Sequence, residues 1–283
     1  MAADRIAMAL GLVLMAAACA GAQSGGQAGV HHEANFEEER GLCCSRKLSL
    51  MPVAAALVIF EMVVMVLSIS LHDCAQAWMA NRLGDPTGRM MGRLTINPLQ
   101  HYSPLGTLVF PLIYAILRPP FILGWSKPVP MTARNFRRPR RDETLALLAG
   151  PAAQFLLAAA ALLVLIVLHH ANPAIGDSLV TARELAMHNL NVDTTGLPGI
   201  FPLILFLYFC ILVNLLLFVF NLVPFPYFDG GKILMNYLPY EMAKSYERLG
   251  IYFMFAFFFL GFGIVMLFFS PFFALFNGLL FNL

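Results

Sequence analysis

The residues of this chain that could do chemistry fall in two short stretches. The first, Leu71-His72-Asp73-Cys74-Ala75-Gln76-Ala77, lies inside a long apolar run. The second, Asn221-Leu222-Val223-Pro224-Phe225-Pro226-Tyr227-Phe228-Asp229-Gly230-Gly231, closes another. On a helix, residues four apart share a face. An H-E-x-x-H segment therefore points two imidazoles at one metal while its Glu works a bound water. Here the same spacing gives His72, then Asp73 at the Glu position and Gln76 at the second His position. Gln76 offers a metal only a neutral carbonyl oxygen, a weak donor for zinc. Asp73 keeps the carboxylate but is one methylene shorter, about 1.5 Å, in a role that tolerates little misplacement. Two readings stay open for His72: a metal ligand, or a buried imidazole hydrogen-bonded to Gln76 or Asp229. Asp229 likewise either reaches out as a ligand or holds its own Asp-Gly-Gly turn.

The elements that must position these groups are membrane helices. Hydrophobic residues make up 59% of the 283 and charged residues 12%, with a mean hydropathy of +0.74. Soluble domains carry about 25% charged residues, so the composition is that of an integral membrane protein. Apolar runs recur at 52–71 (continuing as helix to Leu83), 104–117, 144–169, 201–223 and 251–281. Four can span about 30 Å of hydrocarbon. The run 104–117 is short and interrupted or flanked by Pro104, Pro111, Pro119 and Pro120, which makes it a dip into the membrane rather than a crossing. Pro271 is expected to end the last span, with a short interfacial piece beyond it.

Basic residues set the orientation. Segment 82–143 holds ten Lys and Arg against Asp85, Asp142 and Glu143, whereas 170–200 holds Arg183 against Asp177, Glu184 and Asp193. The first is thereby cytoplasmic and the second outside. His72 and Asp229 then lie at similar depth, near the cytoplasmic ends of their helices. Residues 1–22 read as a signal peptide or signal anchor, 23–50 as a flexible extracytoplasmic tail, and 51–283 as the membrane domain. Within the insert 84–143, Arg93-Leu94-Thr95-Ile96 and Trp125-Ser126-Lys127-Pro128-Val129-Pro130 read as short strands of a small sheet.

Other polar residues have plainer readings. Glu61, Ser68, His72 and Gln76 form one stripe on the first helix, with Glu61 about 16 Å from His72 and so too far to share a metal. Asn214 and Asn221, seven apart, suit interhelical hydrogen bonding. The five cysteines show no C-x-x-C pair and read as apolar fillers. The basic run 134–141, just before a membrane helix, is an orientation signal and a contact for anionic lipid, not a nucleic-acid site.

Taken in order, these pieces resemble the site-2 protease family, in particular its bacterial members with a long insert after the metal motif. The resemblance is carried by His72-Asp73-x-x-Gln76-Ala77, Leu83-Gly84-Asp85-Pro86-Thr87, Gly92 to Leu99, His101, Pro104-Leu105-Gly106-Thr107, Gly124 to Pro130, Ala149-Gly150-Pro151-Ala152-Ala153-Gln154 and Asn221 to Gly231. It covers roughly residues 60–235 and implies an all-α polytopic protein of a bacterial-type inner membrane. Three core helices, 52–83, 144–169 and 201–223, are joined by a re-entrant, partly β cytoplasmic insert. It implies zinc on His72, Asp229 and, weakly, Gln76, with Asp73 in the general-base position. Asn221 and Gln154 would position a substrate backbone, and His101 is a possible alternative ligand. The resemblance and the altered residues together give a site-2 protease-like protein that no longer cleaves and holds a transmembrane helix as client. An active intramembrane zinc endopeptidase is the alternative, and a transporter or channel built on the polar stripe is the third reading. The partners implied are the bilayer and a transmembrane segment.

Overall fold

The computed structural model describes residues 33–256 and 262–282, apart from 102, 104–105, 107–108, 110–123, 125, 173–174, 191, 193 and 195; side chains are described from Ala56 onward, except at 251, 253–256, 262 and 264. The expected signal segment and most of the expected membrane dip lie outside the described residues. Nine α-helices and a 3-10 turn (Ala133–Asn135) are described; the α-helices are α1 (Glu33–Leu83), α2 (Thr87–Met90), α3 (Pro98–His101), α4 (Pro139–Ala171), α5 (Ile175–Ala186), α6 (Phe201–Leu222), α7 (Asp229–Tyr237), α8 (Tyr240–Ala256) and α9 (Phe262–Asn282). The helix α1 begins inside the stretch expected to be a tail. Among the described residues, four stretches are long and apolar enough to cross a membrane: Ala56–Leu83, Pro139–Ala171, Phe201–Leu222 and Val265–Asn282.

The helix α6 sits at the centre. Nearly all of its side chains from Ile204 to Phe220 are buried, and its principal neighbour is α4, with α5 and α9 next. The packing faces obey helical spacing. On α4, Leu147, Gly150, Pro151, Gln154, Ala158, Ala161, Leu162 and Leu165 are buried in steps of three and four, while Leu148, Leu156, Leu163 and Val167 point outward. On α9 the buried stripe is Val265, Phe269, Phe276 and Leu280, with Leu267, Phe268 and Leu275 exposed. With no water in a bilayer to separate polar from apolar faces, what distinguishes the inner stripe is close packing and the polar residues it carries.

Two expectations need correction. The helix α9 runs straight through Pro271. Proline removes one backbone hydrogen bond and crowds the preceding turn, but membrane helices tolerate this because packed neighbours and small local adjustments re-satisfy the freed group. Pro151 is carried inside α4 in the same way. Among the described residues there is also no strand. Leu94 and Thr95 lie in a bend, and 93, 96 and 126–132 have no regular structure. Their backbone groups bond elsewhere: Arg93 N to the Gly88 carbonyl at 2.9 Å, Lys127 N to the His101 carbonyl at 3.1 Å, and Thr132 N to Asp85 at 2.7 Å.

Asp85 closes the insert. The helix α1 ends at Gly84, in the left-handed region at φ +113°, with Asp85 N returning to the Ala80 carbonyl at 2.9 Å. The fully buried Asp85 carboxylate accepts from Thr87 N (3.1 Å), Thr87 Oγ1 (2.5 Å), Asn135 Nδ2 (2.8 Å) and Thr132 N (2.7 Å). One side chain thereby joins the start of the insert to its end, just ahead of α4.

Candidate functional site

Asp229 reaches the first helix because the chain turns sharply after α6. Pro224 and Pro226 stop the helix at Leu222, and the Phe228 amide folds back on the Phe225 carbonyl at 2.9 Å. Phe228 packs on Phe220 with ring centroids 4.1 Å apart. Gly230 and Gly231 then let α7 press on this corner. A Cβ on Gly230 would strike the Leu222 and Val223 carbonyl oxygens, and one on Gly231 the Phe225 carbonyl. From α8, the Tyr246 hydroxyl donates to the Pro224 carbonyl at 2.7 Å. Asp229 stands at the first position of α7, where a helix N-terminus favours negative charge.

The stripe on α1 meets it there. Glu61, Ser68, His72 and Gln76 are all buried. His72 Nε2 lies 2.9 Å from Asp229 Oδ2, and its Nδ1 lies 3.1 Å from Asp73 Oδ1. Both ring nitrogens therefore face carboxylate oxygens, an arrangement satisfied on both sides only when both carry protons. Gln76 Nε2 donates to the same Asp229 Oδ2 at 2.8 Å and to the Leu147 carbonyl at 3.3 Å. Both neighbours of that nitrogen are acceptors, so the amide must present its NH2 here; the flipped amide would set oxygen against oxygen. Lys232, one turn into α7, brings Nζ to 3.3 Å from Asp229 Oδ1. Burial alone would lift the Asp229 carboxyl, but His72, Lys232 and Gln76 together hold it below the usual carboxylate range.

Asp73 turns the other way. His101 lies fully buried on α3, with Nδ1 3.1 Å from Asp73 Oδ2 and Nε2 2.8 Å from the Thr95 carbonyl. The Asp73–His101 approach is close without the alignment of a full hydrogen bond. Burial opposes charge on His101, yet Asp73 and the Thr95 carbonyl outweigh it and raise the imidazole above its ordinary range. His101 thus folds back onto Asp73, not onto the His72–Asp229 pair. Asn221 Nδ2 donates to Gln154 Oε1 at 3.2 Å, so these two amides bond each other across α6 and α4. Asn214 spends its amide on its own helix, at the Cys210 carbonyl. Glu61 stands apart and pairs with His188 at 3.6 Å.

A zinc centre asks for lone pairs converging on one point. Among the described residues no set of three or more His, Cys, Asp and Glu is arranged to hold a metal. Two ligands on a tetrahedral zinc sit about 3.3 Å apart, whereas His72 and Asp229 are at hydrogen-bond distance. Gln76 shows Asp229 an N–H, not an oxygen. The groups around Asp229 are donors suited to a carboxylate and do not fit a zinc ligand set. Two contributors escape a reading of the sequence. Lys232 is marked there only by its i+3 spacing from Asp229 at a helix start. Gly150 is required because a Cβ there would overlap the His72 ring.

Comparison with known proteins adds the lineage. The family model described as peptidase family M50 matches residues 60–261. Over 192 residues, 68% of this chain and 72% of the other, the sequence is 32% identical to a Bacillus subtilis (strain 168) protein named "Putative zinc metalloprotease YwhC". No solved structure matches.

Proposed function

The chain belongs to peptidase family M50, the site-2 proteases, and from that premise we propose that it is a non-proteolytic member that holds a transmembrane helix of a client in the membrane. Hydrolysis by a site-2 protease needs a metal-activated water and a carboxylate free to take its proton. The observation that carries the proposal is the double commitment of the motif. Gln76 occupies the second His position and donates to Asp229, while Asp73 is held between the imidazoles of His72 and His101. Gln76 turns its Nε2, not a lone pair, to Asp229 Oδ2, and the Asp73 carboxylate has both oxygens against ring nitrogens.

What remains is a membrane-embedded helical scaffold. The mutual bond of Gln154 and Asn221 supports a client bound as an intact helix rather than as an unwound strand. An unwound segment in a bilayer must find partners for every backbone N–H and C=O, at several kcal/mol for each one left unpaired. Two amides that spend a donor and an acceptor on each other have fewer groups left for it. In this reading His72, Asp73, Gln76, Asp229 and His101 hold the helices and the insert in register.

Single-span reporter proteins with varied transmembrane sequences, co-expressed with the full chain, test the proposal. Expected is co-purification of some reporters at full length and shortening of none. A reporter cut by the wild-type chain, and left whole by His72→Ala and by Asp73→Asn, would overturn it.

A further inference from the structure

Asp229 is the point where α7 is fastened to α1, and its carboxylate accepts from Gln76 and Lys232 and faces a ring nitrogen of His72. Oδ2 takes His72 Nε2 at 2.9 Å and Gln76 Nε2 at 2.8 Å, and Oδ1 takes Lys232 Nζ at 3.3 Å. Asp229 is 3% exposed, so its charge is out of water and must be met locally. The Lys232 stem spans one helical turn, and its side chain stays about a third exposed, with the ammonium end on the carboxylate. The Gln76 amide serves both Asp229 and the Leu147 carbonyl, which adds α4 to the joint.

We propose that Lys232 and Gln76 make this centre an ion-free clasp, in which an ammonium and an amide supply the positive end that a bound metal would supply, so that α7 stays locked to α1 and α4 with no metal present. Charge balance favours this. A dication placed between His72 and Asp229 would meet the Gln76 N–H from one side and the Lys232 ammonium close by on the other, and both repel it. Removing those two groups would leave a buried carboxylate short of donors. Among the described residues, His72 alone would then hold Asp229. Lys232 is a positioning residue: it acts through Asp229 on the seating of α7.

The clasp stands apart from the loss of proteolysis. A chain that bound zinc and cut nothing would refute the clasp and spare the proposed function. A chain that cut its client without zinc would do the reverse. The test is thermal unfolding of the purified full chain in detergent, run with EDTA, with added zinc and with neither. Expected is a Tm that chelator and zinc leave unchanged. Lys232→Met should lower it by about 2–4 °C, with most of the loss recovered in Lys232→Arg. Lys244→Met is the control, since that ammonium lies over the Tyr240 ring and away from the centre, and it should leave Tm unchanged. Two results would overturn the clasp. One is a wild-type Tm that climbs with zinc concentration and falls back with chelator, the signature of a ligand that binds the folded state. The other is a Lys232→Met chain as stable as the Lys244→Met control. Should Lys232→Met fail to purify, Lys232→Gln, which keeps a donor but no charge, reads the same comparison.

Discussion

Replacing Gly150 by alanine should unseat His72. A Cβ on Gly150 would lie 2.5 Å from His72 Cδ2 and 2.7 Å from Cε1, and closer still to Nε2. Carbon atoms in contact rest about 3.5–4.0 Å apart, so the ring must swing away by about 1 Å or α4 must back off from α1. Overpacking of this kind costs about 1–3 kcal/mol. A ring that swings also loses its alignment with Asp229, which adds about 1–3 kcal/mol for a buried charged partner left short of a donor. The sum is about 2–6 kcal/mol, or a fall in Tm of about 5–20 °C for a chain of this size. Unfolding of the detergent-purified protein, tracked by tryptophan fluorescence, measures it. Gly263→Ala supplies the control, because a Cβ there meets nothing within 4 Å. The cycle is completed by His72→Ala and by the double variant. If the ring is what the methyl strikes, the two substitutions must be strongly non-additive, with the double variant little worse than His72→Ala alone. A Gly150→Ala chain within about 1 °C of the Gly263→Ala control, or a double variant whose losses simply add, would refute the packing argument.

Three further outcomes are expected. Asp85→Ala strands four donors at once and should cost about 2–4 kcal/mol, with the basic run 134–141 becoming faster to cut by trypsin; an unchanged digestion rate would mean the insert is held elsewhere. The same residue gives an acid limb. Burial alone would raise the Asp85 carboxyl, but the Thr87, Asn135 and Thr132 donors hold it below the usual range. Its stabilisation is complete above about pH 4 and is lost as pH falls through the ordinary and then the depressed value. Wild type should therefore lose more stability than Asp85→Asn between about pH 5 and pH 3, read as a difference in Tm. Finally, Asp73→Glu combined with Gln76→His should bind zinc by elemental mass spectrometry at a level that wild type and His72→Ala do not reach; equal zinc in all three chains would show that the altered motif is not what decides binding.

Much of the frame was legible because membrane helices announce themselves by length and apolarity. The stripe Glu61, Ser68, His72, Gln76 was readable from spacing, and all four residues are buried. The corner that carries Asp229 was readable from Pro224 and Pro226, since proline ends a helix wherever its missing donor cannot be tolerated. Pro271 shows the limit of that rule: the same residue inside α9 does not stop the helix. The strands expected at 93–96 and 125–130 rested on β-favouring residue types. Type alone cannot reveal that Arg93 N will turn back to the Gly88 carbonyl and Lys127 N to the His101 carbonyl instead of joining a ladder. His101 was visible as a candidate, but its partner was not. Nothing local in the sequence says that a histidine on a distant loop will settle against Asp73. Lys232 and Gly150 are of the same kind, since one matters through a charge and the other through an absence of atoms at a contact between separate helices.

The Gln154–Asn221 bond bears on how any helix docking beside α4 and α6 would have to be counted. Two amides that spend a donor and an acceptor on each other offer less to a newcomer, so such a helix would mostly replace lipid chains with side chains of much the same polarity. The driving term is then shape, and the competitor is the solvent itself. Occupancy would track the ratio of client to lipid in the bilayer rather than any molar concentration. Diluting the membrane with more lipid should empty the site, and diluting the vesicles with more buffer should not.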